Sequence, residues 1–194
     1  MHFTLRGAVI VVSIALLATV ATQLFYIGVV SPSDSAVLRK VTWTSEMILF
    51  SLVAWAALPL AARGTMPLVW SAVAIAGLVN LIQVGMGLLE FPQAQQAADE
   101  QVFKTVLNGA FFLYFHGKMM LGIAAIGLGL AATRLPGAFS TVMGWASIAS
   151  GIATAILSIY GMANGMELVF ATGAAGTAAT ALLAMTGLIV VKEP

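Results

Sequence analysis

The chain has 194 residues, of which 61% are hydrophobic and only 8% charged, with a formal net charge of +1 and no cysteine. Soluble domains carry about 25% charged residues, so a mean hydropathy of +1.04 and repeated apolar runs long enough for a bilayer exclude a water-soluble core. The lack of a basic block argues against nucleic acid as a partner, and the lack of cysteine excludes disulfides, thiolate metal sites and cysteine nucleophiles.

In hydrocarbon every backbone polar group must find its partner within the protein, which leaves helices or a closed barrel. The apolar runs are continuous rather than alternating. The expected fold is therefore all-α, a polytopic membrane protein forming a six-helix transmembrane bundle in one domain over residues 1–194.

Met1 to Arg6 is a short basic start to the first run, 7–30. Small residues at Thr19 and Ala21 resemble a signal-peptide cleavage site. The apolar stretch continues past them, so the segment reads as an uncleaved span. Ser31-Pro32-Ser33-Asp34 breaks the run, and its proline and capping residues predict that a helix begins there. That helix carries Arg39 and Lys40 ahead of a span over 41–62 that contains Glu46. Arg63 to Pro67 is a tight turn into span three, 67–89. Residues 90–104 form the longest polar segment, and its later part reads as a surface helix or an extension of span four, 105–132. Thr133 to Gly137 leads into span five, 139–161, and a Gly/Asn link into span six, 168–191.

Loop charges set the expected orientation. With the N-terminus inside, Arg6, Arg63, Arg134 and Lys192 share the cytoplasmic side, and Arg39, Lys40 and Lys104 the other. This small excess follows the positive-inside rule and makes both termini cytoplasmic. Each inner turn pairs an arginine with a proline that is expected to start the next helix. Glu46 and His116 precede their inner arginines, Arg63 and Arg134, by similar lengths of helix. Both then sit roughly 26 Å above those anchors, near the outer surface.

Three features carry a family resemblance: the Ser31-Pro32-Ser33-Asp34 break with Arg39 ahead of Glu46, the aromatic start of span four, and Leu135-Pro136-Gly137 followed by Met143-Gly144. In these the chain resembles an uncharacterised family of bacterial six-helix integral membrane proteins, a domain of unknown function. The resemblance covers most of the chain and implies a bacterial inner (cytoplasmic) membrane. It implies no activity and no site residues.

Ionisable residues within a span are candidates for function. His116 and Lys118 lie in span four, about 200° apart around the helix. His116 is expected to face the bundle with Glu46 as its carboxylate partner, while Lys118 snorkels to the outer surface. Glu90, Glu167, Asn80, Gln83, Asn108 and Tyr114 fall at similar depth. Together they predict a polar cavity in the outer half. Two histidines, one of them His2 at the far side, do not make a haem or metal site. The ten methionines read as packing rather than soft-metal ligands, so no cofactor is expected. Small-residue ladders, Ala171/Ala175/Ala179 and Gly176/Thr180/Ala184 on span six and Ser147/Gly151 on span five, predict close helix contacts within the bundle or in a homo-oligomer or larger membrane complex.

No catalytic motif is present. The sequence therefore favours a non-enzymatic bundle that binds a small ligand, lipid or partner. The alternatives are a small proton-coupled transporter using His116 and Glu46, and an intramembrane enzyme with His116 as acid/base.

Overall fold

The computed structural model describes residues 4–191. His2 and Lys192, which entered the metal and topology arguments, lie outside them. Six helices follow in order: α1 (Leu5–Phe25), α2 (Ala36–Arg63), α3 (Pro67–Gln95), α4 (Glu100–Ala132), α5 (Ala138–Asn164) and α6 (Val169–Val190). Each belongs to a helical stretch long and apolar enough to cross a membrane. The protein is an all-α, polytopic membrane bundle.

Local chemistry sets the helix ends. The Thr4 hydroxyl accepts from the Gly7 N–H at 3.0 Å and caps α1. The N-cap of α2 is Ser35, which accepts from the Leu38 N–H at 3.3 Å. The helix therefore starts after the 31–34 break and not within it, and Pro32 lies in the turn. Pro67 is the first residue of α3, where its missing N–H costs nothing. Pro136 does not repeat that role, because α5 starts at Ala138 behind Gly137, whose φ is +101°. The polar segment 90–104 divides. Its first part extends α3 to Gln95, and its last part extends α4, capped by Asp99.

The helices close a ring. α1 packs on α2, α2 on α3, α3 on α4, α4 on α6 and α6 back on α1, while α5 packs against α4 and α6. At one end the ring is filled. Val12 and Leu16 of α1, Val53 and Leu60 of α2, Val73 of α3, Leu121 and Leu128 of α4 and Leu183 of α6 form a continuous apolar core there. Burial of such side chains is the ordinary source of packing energy, about 25 cal/mol per Å² against water and van der Waals contact within lipid.

Small residues seat α5 on α4. A Cβ on Gly122 would stand 2.8 Å from the Gly151 carbonyl oxygen, and one on Gly129 2.7 Å from that of Gly144. The Ser147 hydroxyl donates to the Ala125 carbonyl across the same seam at 2.9 Å. The predicted Ser147/Gly151 ladder thus contacts α4 of the same chain. On α6, Gly176 has another use: a Cβ there would lie 2.6 Å from Lys118 Cδ.

At the opposite end, where α1, α3 and α5 finish, the ring is hollow. α1 ends there in a π-helical turn, Tyr26–Val30, closed by the Ser31 N–H donating to the Tyr26 carbonyl at 2.8 Å. Such widened turns recur at functional sites.

Candidate functional site

The hollow end holds a cavity of about 900 Å³ bounded by α1, α2, α3, α4, α6 and the π-helical turn. That is room for an organic molecule rather than a bare ion. Its walls are mainly apolar and aromatic: Val20, Leu24, Ile27, Leu107, Phe111, Phe170, Ala174 and Ala178. Tyr26, Trp43 and Phe91 also line it; Tyr26 stacks on Trp43 and Trp43 meets Phe91 edge to face, with ring centroids 5.9 and 6.0 Å apart.

Several wall residues are also open to the outside of the bundle. Leu24 is 59% exposed, Ile27 48% and Phe170 78%. They come from the end of α1, from the π-helical turn and from the first turn of α6.

The deep end of the cavity is polar. The Gln23 amide oxygen accepts from the Lys118 ammonium at 2.8 Å and from the Thr177 hydroxyl at 2.9 Å. The Gln23 amide nitrogen donates to the Tyr114 hydroxyl oxygen at 3.2 Å. Beside this cluster the Thr22 hydroxyl donates to Glu46 Oε1 at 3.0 Å. Gln23, Tyr114, Thr177 and Glu46 line the cavity. Lys118, only 5% exposed, lies against their far side, with its Nζ 5.4 Å from the Tyr114 ring centroid.

Lys118 therefore does not snorkel. Tyr114 and Lys118 are one turn apart on one face of α4, and that face points into the ring. The lysine stem runs past Gly176, where a missing side chain leaves room, and its tip ends on Gln23. His116 is on the reverse face, about 160° from Lys118. It is half-buried, and among the described residues no hydrogen bond or ion pair joins it to Glu46. The two residues lie on opposite sides of the helix, and Lys118 rather than His116 faces the ring. Glu46 and Lys118 act on each other electrostatically without a direct ion pair. Among the described residues the ion pair is Lys104–Glu100 at 3.0 Å, on the surface of α4.

The other predicted residues scatter. Gln83 lines the cavity. Asn80 is buried but donates to the Ala76 carbonyl of its own helix at 2.8 Å and packs on Gly117, so its role is structural. Asn108 borders a separate hollow of about 240 Å³ with Phe115 and Met162. Glu90 and Glu167 are exposed, and Glu167 accepts from the Tyr160 hydroxyl at 3.2 Å.

Sequence reasoning missed Thr22, Gln23 and Thr177. Gln23 was legible in principle, as an uncharged amide within an apolar span and a natural interhelical donor and acceptor. Among the described residues no group of three or more His, Cys, Asp or Glu could hold a metal ion. No protein-family model matches the chain, and neither a curated protein nor a solved structure matches it.

Proposed function

We propose that the protein binds an amphipathic, membrane-resident ligand in the cavity of its hollow end, without catalysing a reaction on it. The observation that carries this reading is the exposed apolar lining of the cavity at the end of α1 and the start of α6, which we read as a sideways opening between these two helices. A water-soluble ligand needs an aqueous mouth, whereas Leu24, Ile27 and Phe170 offer an apolar path from the lipid. The walls suit an apolar body, and the Gln23, Tyr114, Thr177 and Glu46 groups suit a polar part.

The bacterial inner membrane, with both termini cytoplasmic and the cavity in the outer half, belongs to this reading. It rests on the family resemblance and on the loop charges. The transporter and enzyme alternatives were centred on His116. That residue is on the reverse face of α4 from the cavity's polar cluster, which withdraws their main support.

The test uses Trp43 as the reporter, with Trp55, Trp70 and Trp145 replaced by phenylalanine. A brominated long-chain alcohol is expected to quench its fluorescence saturably. Ala174→Leu combined with Ala178→Leu narrows the opening and is expected to abolish saturation. Quenching that never saturates, or that ignores the double substitution, refutes the reading.

A further inference from the structure

The geometry points to Arg39 as an anion subsite at the end of the cavity level with the start of α2, one that receives the carboxylate or phosphate head of an amphiphile whose apolar body fills the cavity. This rests on the amphiphile-binding reading above.

Arg39 lies on the first turn of α2 and lines the cavity. Its Nε is buried and has no hydrogen-bond partner, and among the described residues no carboxylate forms an ion pair with the guanidinium. A buried guanidinium N–H without an acceptor is costly, and the group is built to grip planar or tetrahedral oxyanions with two N–H bonds. Its neighbours along the wall, Tyr26, Trp43 and Phe91, bring aromatic rings rather than an acid.

The charges also fix which way round the ligand sits. Arg39, Trp43 and Glu46 lie on one stripe of α2, with Glu46 about 10 Å deeper along the helix. At the floor the Lys118 ammonium stands beside the Glu46 carboxylate and is already held by Gln23, whereas the Arg39 Nε has no acceptor. The head therefore stays at Arg39, level with the start of α2, and the chain lies along the apolar walls toward the entry between α1 and α6.

Native mass spectrometry of the full chain released from detergent tests this with two pairs of probes. Oleate and oleyl alcohol share a chain and differ in charge; dioleoyl phosphatidate and dioleoylglycerol do the same for a membrane lipid. Wild type is expected to bind one anionic member roughly tenfold or more tighter than its neutral counterpart. Arg39→Gln is expected to remove that preference and leave neutral binding unchanged. A preference confined to oleate supports a free fatty acid, and one confined to phosphatidate supports a lipid headgroup.

Equal binding of charged and neutral probes by wild type overturns the anion subsite and leaves the amphiphile cavity standing. Failure of all four probes to bind overturns both. A preference that survives Arg39→Gln overturns the assignment to Arg39. Should the glutamine variant not elute as wild type does, Arg39→Lys replaces it. That variant keeps the charge without the Nε–H, so the preference should weaken without vanishing, and an undiminished preference counts against the guanidinium.

Discussion

Replacing Gln23 with leucine removes a side chain that joins α1, α4 and α6 at the floor of the cavity. Three hydrogen bonds are lost: the Lys118 bond at 2.8 Å, the Thr177 bond at 2.9 Å and the Tyr114 bond at 3.2 Å. They do not cost the same. Thr177 keeps its 2.7 Å bond to the Gly173 carbonyl, so its loss is small. The Tyr114 bond is neutral, and neutral interhelical bonds in membranes average about 0.6 kcal/mol. The Lys118 bond is charge-assisted, worth about 1.5–3 kcal/mol, and its loss strands a buried ammonium. The expected destabilisation is about 2–4 kcal/mol. Lys118→Met should cost less, about 1 kcal/mol or below, because it removes the charge together with the need for a partner and keeps the stem beside Gly176. Added to Gln23→Leu, Lys118→Met should then restore most of the lost stability. Reversible unfolding followed against the mole fraction of a denaturing detergent measures all three variants. A Gln23→Leu cost below about 0.5 kcal/mol, or a double variant no better than Gln23→Leu alone, refutes the claim that the amide exists to hold the buried charge.

Gly176→Leu should displace Lys118, since a Cβ alone would stand 2.6 Å from its stem; a loss of about 1–3 kcal/mol is expected, and unchanged melting in detergent would contradict it. Gly122→Val should separate α5 from α4, because the obstacle 2.8 Å away is the backbone carbonyl of Gly151 and not a movable side chain; a marked fall in melting temperature is the readout. His116→Ala should leave stability within about 0.5 kcal/mol of wild type and leave alcohol quenching of Trp43 unchanged, and loss of quenching would return His116 to the site. Reporter fusions should place the C-terminus in the cytoplasm and residues 90–104 outside, and activity of a periplasm-only reporter at the C-terminus would reverse the orientation.

The helical architecture was legible because continuous apolar runs in lipid permit little else. Helix ends were less so. The Ser31 to Asp34 break was visible, but Ser35 caps α2, and several neighbouring residues could have served equally well as the cap. The close seam between α4 and α5 was legible in Ser147 and Gly151, since small residues spaced by four can only let a partner approach. The floor of the cavity was only half legible. Glu46, Lys118 and Tyr114 stood out as polar groups within spans, but the rotation of α4 about its own axis decides whether position 116 or 118 points inward. Helical spacing gives the angle between them and not its absolute phase. That phase is set by tertiary contacts, Gly117 on Asn80 and Gly176 beside Lys118, which no single span encodes. Thr22, Gln23 and Thr177 carry no charge and so did not draw attention, although their bonds organise the floor.

Site-resolved photolabelling tests the amphiphile cavity most directly. An oleyl alcohol carrying a photoactivatable diazirine on its chain is equilibrated with the protein, irradiated, and the labelled peptides are mapped. The account predicts saturable labelling concentrated around Leu24 of α1, Ile27 of the π-helical turn, and Phe170 and Ala174 of α6, suppressed by excess unlabelled oleyl alcohol. Labelling that does not saturate, and that falls equally on the exposed face of α5 at Phe139, Val142 and Trp145, would mean that the probe meets only the lipid-facing surface, and would contradict it.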